Sequence, residues 1–144
     1  MMFRRLAFAA VFASTFTPVV MAQSAADDPA GLFLELNTVQ DVDGACRLTF
    51  VARNQTGTAI DKAVFETVIF DATGTVVSLS LFNFRELPTD RPRVRQFILP
   101  GMSCDTVGQA LINGASSCVV NGSESEICRE ALSLSSRVDM ELLG

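Results

Sequence analysis

From Leu32 onward the chain is written in short runs of β-branched and aromatic residues, broken by Gly, Asn, Asp and Pro about every ten residues. No long helical period competes with this pattern, so the choice narrows to a sandwich or a barrel. The clearest run is Ala45–Asn54, where Cys46, Leu48, Phe50 and Ala52 alternate with Arg47, Thr49 and Arg53, as in a half-buried strand. Leu32, Leu34 and Leu36 share a face opposite Phe33, Glu35 and Asn37, and Asp41-Val42-Asp43-Gly44 supplies the turn that joins the two runs as a hairpin. Ala63–Asp71 is apolar on both parities except at Glu66 and Thr67, which predicts a central strand covered on both faces. Asp71-Ala72-Thr73-Gly74 then turns the chain into Thr75–Phe84, where Val77, Leu79 and Leu81 oppose Ser78 and Ser80. A loop held by Leu87-Pro88 and Arg91-Pro92 precedes Arg93–Leu99, and Val107–Asn113 and Ala131–Val138 are the last runs. The expected fold class is therefore all-β: an immunoglobulin-like two-sheet antiparallel sandwich of about seven strands, with barrel closure as the alternative.

The residues before this body read as an address. Arg4 and Arg5 form a basic head, Leu6–Phe12 an apolar run, and Val20-Met21-Ala22 a cleavage site, the order of a secretory signal peptide over 1–22. Ser14, Thr15, Thr17 and Pro18 interrupt the apolar run well short of the roughly 20 residues that a spanning helix needs. No later run reaches that length, so no membrane span is expected in the mature chain. Residues 23–30 are small, polar and acidic, a flexible leader to one domain over 31–144. The adjacent arginines raise twin-arginine export, yet Phe3 stands where a polar residue normally precedes the pair; general secretion is the preferred route. Either route delivers the chain to the periplasm or beyond.

Composition removes most chemistry. Among 144 residues there is no His, Trp or Tyr, and 49% are hydrophobic, too many for a disordered chain. The formal charge is −5; without Arg4 and Arg5, 9 basic residues face 16 acidic ones. Such a chain is a poor partner for nucleic acid. With no His, a serine–histidine nucleophile is closed, and a Ser/Lys pair would have to use the single Lys62. Glu66, Asp71 and Glu86 are the carboxylates that acid–base work would draw on, but they sit in no recognisable motif. Asp41-Val42-Asp43-Gly44 fails as a calcium loop because position twelve is Ala52. No catalytic residue, cofactor or metal is therefore expected. Asn54-Gln55-Thr56 and Asn121-Gly122-Ser123 match the glycan acceptor pattern and are read as turns.

Four cysteines in an exported chain without His read as two disulfides rather than a metal site. Cys118 and Cys128 bracket Asn121-Gly122 and a polar stretch, a short loop to close; Cys46 and Cys104 remain as the long-range pair. Two other pairings stay open. Loop closure gives the long bridge about 4 kcal/mol and the short one about 3 kcal/mol.

Arg85, Arg91, Arg93 and Arg95 fall within eleven positions of an otherwise acidic chain, the last three on one strand parity. Arginines on an edge strand keep neighbouring strands away. The functional alternative is a guanidinium strip that grips carboxylates or phosphates on a partner.

The order of Leu34-Glu35-Leu36-Asn37, Cys46-Arg47, Asn54 with Gly57, Phe70-Asp71, Leu87-Pro88, Arg93-Val94-Arg95-Gln96-Phe97, Cys104 and Cys118 resembles a group of small exported proteins of α-proteobacteria labelled by a Tat-type signal sequence. The resemblance spans most of the mature chain. It implies a periplasmic β-rich domain with paired cysteines and transfers no activity or ligand. The expected function is a non-enzymatic binding or interaction module, its partner a protein or envelope component of acidic character. A small hydrolase using carboxylates or Lys62 is the rival.

Overall fold

The computed structural model describes residues 30–144. The signal peptide expected over 1–22 and the leader expected over 23–30, apart from Ala30, lie outside the described residues. The chain builds β1 (Leu32–Val42), β2 (Ala45–Asn54), β3 (Ile60–Asp71), β4 (Val76–Leu87), β5 (Arg93–Leu99), a 3-10 turn (Cys104–Thr106), β6 (Val107–Val120), β7 (Ser123–Glu124), a single helical turn α1 (Ile127–Glu130), β8 (Leu132–Ser136) and β9 (Glu141–Leu143). Two sheets pack on each other, one in the order β5-β2-β1-β8, the other β4-β3-β6-β7 with β9 also on β6.

Local chemistry explains most of the boundaries. Asp43 and Gly44 carry φ of 50° and 75° between Val42 and Ala45, so an Asp-Gly pair with both residues left-handed closes the β1–β2 hairpin in two residues. Asn121 and Gly122, at 50° and 77°, do the same between β6 and β7. Asp71 organises the β3–β4 turn: its Oδ1 accepts from Thr73 N, Thr73 Oγ1 and Thr75 N at 2.9, 2.6 and 3.0 Å. In β1 a register shift between Leu36 and Thr38 changes the parity, so that Val39, partly buried, continues the inward row begun by Leu32, Leu34 and Leu36.

The core lies between the sheets. Leu48 and Phe50 come from one side, Phe65, Phe82, Phe84, Ala110 and Ile112 from the other. Phe82 of β4 stacks on Phe97 of β5 with centroids 4.2 Å apart and planes 7° from parallel, while Phe50 meets Phe84 edge-on at 5.4 Å. Each buried ring contributes about 1.5–3 kcal/mol by leaving water, so this cluster dominates the β4–β5 side.

Three expectations change. The described residues form nine strands in two mixed sheets, rather than about seven in an antiparallel sandwich. The reason lies after Cys128: β8 runs parallel to β1, the chain crosses between the sheets, and β9 runs parallel to β6. No hairpin turn announces a parallel partner, so the run Ala131–Val138 gave no sign of it. Second, β6 continues seven residues past Asn113, through Gly114-Ala115-Ser116-Ser117, a stretch of weak strand formers that pairs with β3 across two register shifts. Third, β3 is central, but the second sheet covers only one of its faces: Ala63, Phe65, Thr67 and Ile69 are buried in the core, while on the outer face neighbouring strands alone bury Val64 and Val68, at 7% and 8%, and Leu79 and Leu81 beside them on β4 are 59% and 60% exposed.

Candidate functional site

The two sheets leave an open side between their edge strands β4 and β5. Here Phe97 and Phe82 bring the strands together, and the loop Pro88–Pro92 crosses from one sheet to the other. A groove of about 520 Å³ lies along this side, lined by Asn83, Arg85, Val94, Arg95, Gln96 and Phe97. A smaller hollow of about 260 Å³ adjoins the start of β5 and is lined by Arg53, Asn54, Gln55, Asp90, Arg91 and Pro92.

Alternation along β5 puts Arg93, Arg95, Phe97 and Leu99 on the side that faces the other sheet. Arg95 therefore does not stand on an open strip. It is 7% exposed, and its guanidinium reaches across the gap: Nε donates to Phe84 O at 2.6 Å and Nη2 to Glu86 O at 3.0 Å. Nη2 also lies 3.4 Å from Glu86 Oε1, with Arg93 Nε 3.9 Å from the same oxygen. The expectation of four surface arginines thus needs correcting at Arg95, which the apolar neighbours at Phe97 and Leu99 draw inward.

Arg85 completes the cluster from β4. Its backbone is left-handed at φ 58°, and its N–H donates to Asn83 Oδ1 at 2.8 Å. Asn83 thereby holds a conformation that costs a non-glycine residue about 1–3 kcal/mol. Burial pulls the Arg95 guanidinium below its usual value, and the nearby Arg85 and Arg93 add to this while Glu86 opposes it. The Glu86 carboxyl is held below its ordinary value, first by its own backbone N–H and then by Arg95, Arg85 and Arg93. One carboxylate faces three guanidinium groups, so the cluster keeps surplus positive charge and unshared N–H donors. Donors in that arrangement take carboxylate or phosphate oxygens.

Arg91 is parted from these three and lines the smaller hollow with Arg53. Sequence reasoning missed Arg53 because it belongs to β2; the pairing of Ala52 with Arg93 brings it to this end of the molecule. An alternating strand whose last charged residue lies next to the neighbouring strand's first would have been the signal.

The groups that catalysis would need are dispersed. Glu66 Oε1 accepts from Asn113 Nδ2 at 2.6 Å on the outer face of β3, Asp71 serves its turn, and Glu86 sits with the arginines. Lys62 is exposed on β3, and no hydrogen bond joins it to a serine among the described residues. Asn54 is buried at 2%: its Nδ2 donates to Thr58 O at 2.8 Å and Leu87 O at 2.7 Å, and its Oδ1 accepts from Thr56. That amide locks the β2–β3 turn to the end of β4 and leaves no room for a glycan.

The structure joins Cys46 to Cys104 and Cys118 to Cys128, the pairing preferred among the three that the sequence left open, and no cysteine is free. Asp41 Oδ1 accepts from Cys104 N at 2.7 Å, adding a second tie beside the long bridge. Two disulfides and no thiol fit an oxidising compartment. Among the described residues, no helix is long and apolar enough to cross a membrane. No protein-family model, curated protein or solved structure matches the chain.

Proposed function

We propose that this chain is a non-enzymatic binding module of the periplasm that takes an acidic segment of a partner protein into the β4–β5 groove. The observation that carries the reading is the cluster of Arg85, Arg93 and Arg95 around the single carboxylate of Glu86, in a chain of net charge −5. Arg95 is held rigid by the backbone carbonyls of Phe84, Val94 and Glu86, so it presents its charge without the entropy cost of ordering a long side chain. Arg85 and Arg93 flank it, and Arg53 and Arg91 extend the positive end.

The strand order supports an immunoglobulin-like scaffold for the module. β1-β2-β5 against β4-β3-β6 follows the order of such sandwiches, and only the parallel β8 and β9 depart from it. The expected signal peptide, the resemblance to exported α-proteobacterial proteins and the two disulfides favour the periplasm over the cytoplasm. The separation of Glu66, Asp71, Glu86 and Lys62 favours binding over hydrolysis.

The test is to titrate isotope-labelled protein with a hexaglutamate peptide and follow the backbone amides and arginine Nε–H signals. Shifts confined to Asn83, Arg85 and Arg93–Phe97 support the reading. Shifts scattered over the surface, or none, overturn it.

A further inference from the structure

β4 is an edge strand whose two halves have different fates. In the second half, Arg95 occupies the carbonyls of Phe84 and Glu86, so no further strand can pair there. In the first half, Val76-Val77-Ser78-Leu79-Ser80-Leu81-Phe82 carries no charge, no Pro and no Gly. The only side-chain hydrogen bond of this segment, among the described residues, joins Ser78 to Ser80. Monomeric sheet proteins blunt such an edge with charge, proline, brevity or a bulge, and here a single register shift touches only the Val76–Ser78 end of the segment. The other edges here are blunted: β5 has seven residues between Pro92 and Pro100 and carries two arginines, β8 has five residues, β9 three and β7 two.

The outer face adds a second observation. Leu79 pairs with Val68, Val68 with Leu111 and Leu111 with Leu143, one apolar row across four strands. At its ends Leu79 and Leu143 are 59% and 40% exposed, with Val68 buried between them, and Val77 and Leu81, beside Leu79 on β4, are 46% and 60% exposed. Exposed apolar side chains gathered along one edge strand mark a contact.

We infer that a second copy of this chain occupies the open half of β4, the segments Val76–Phe82 pairing antiparallel about a two-fold axis. With Leu79 on the axis, Val77 meets Leu81 of the copy on the outer face and Ser78 meets Ser80 on the inner one. Apolar meets apolar, hydroxyl meets hydroxyl, and the contact is self-complementary as a two-fold interface requires. The segment brings no like charges together, although the chain as a whole is acidic. The apolar row then continues without a break through the two copies. The contact is closed, because Arg95 stops further pairing on one side of it and the remaining edges are blunted. This inference is independent of the arginine groove.

Sedimentation velocity from low to high micromolar concentration tests it, with Leu79→Lys and Leu143→Lys as variants. Leu143 lies three strand spacings from Leu79, about 14 Å, and so stays clear of an edge contact. The expected result is a dimer for the unmodified chain and for Leu143→Lys, a folded monomer for Leu79→Lys, and loss of amide-exchange protection in that variant only over 76–82. Should Leu79→Lys lose its fold, Leu81→Lys takes its place. A monomer throughout, or a dimer that survives Leu79→Lys and Leu81→Lys, overturns the inference. So does a dimer lost equally on Leu143→Lys, which would place the contact on the face of the sheet.

Discussion

Arg95 Nε stands 2.6 Å from the carbonyl oxygen of Phe84, so a side chain of one sheet's edge is fastened to the backbone of the other's. Hydrogen bonds from a charged donor contribute about 1.5–3 kcal/mol each, and a truncated Arg95 would leave the buried Phe84 carbonyl without its donor. Arg95→Met is therefore expected to lower unfolding free energy by about 2–4 kcal/mol. Arg91→Gln and Arg93→Gln, at partly exposed or exposed positions, are expected to lower it by less than about 1 kcal/mol. Urea denaturation of the three variants checks the contrast; equal effects would mean that Arg95 is not a clamp.

The carboxyl of Asp71 is held below its ordinary value of 3.8 by Thr73 Oγ1 and the Thr75 N–H, and that of Glu35 below 4.5 chiefly by the Asn37 amide. Lowered in the folded state, these groups bind fewer protons there than in the unfolded chain. Their stabilisation is complete above the ordinary values and is lost as pH falls through the folded ones. The urea midpoint is expected to hold steady between neutral pH and about pH 5 and to fall below about pH 4. Asp71→Asn keeps an acceptor for the turn but removes the titration, so its midpoint should depend less on pH across that window.

The two disulfides close loops of different size, with sequence separations of 58 and 10. Replacing Cys46 and Cys104 by Ser is expected to cost about 4 kcal/mol, and replacing Cys118 and Cys128 about 3 kcal/mol. Calorimetry of the two double variants gives the order; a reversal would mean that packing around Cys128 outweighs loop entropy.

Legibility in the sequence followed the range of the physics. Turns governed by neighbouring residues were readable: Asp43-Gly44, Asn121-Gly122 and Asp71-Ala72-Thr73-Gly74 each set a hairpin through their own conformational preferences. Strands with one wet face, such as Cys46-Leu48-Phe50-Ala52, declared their inward side. What failed depended on partners distant in the chain. The alternation that grouped Arg91, Arg93 and Arg95 held for Arg93 and Arg95, failed for Arg91, which lies before Pro92 outside β5, and was silent about which parity faced the other sheet. Phe97 and Leu99, on the same parity as Arg95, held that information. The apolar outer side of β3 was read as covered, whereas only neighbouring strands shelter Val64 and Val68 there, and Leu79 and Leu81 of β4 stand open beside them.

The claim that the β4–β5 groove receives acidic groups is tested most directly by charge-matched variants. Fluorescence anisotropy of a labelled hexaglutamate peptide would be measured against the unmodified chain, Arg85→Gln/Arg93→Gln and Arg129→Gln/Arg137→Gln. The last pair removes the same charge from exposed residues outside the groove, where Arg129 pairs with Glu126 and Arg137 with Glu35. Two lost contacts worth about 0.7 kcal/mol each predict about tenfold weaker binding for the groove variant. The control is expected to change by less than about twofold, and added salt to weaken binding to the unmodified chain. Equal weakening by the two variants, or no binding by the unmodified chain at low salt, would contradict the account.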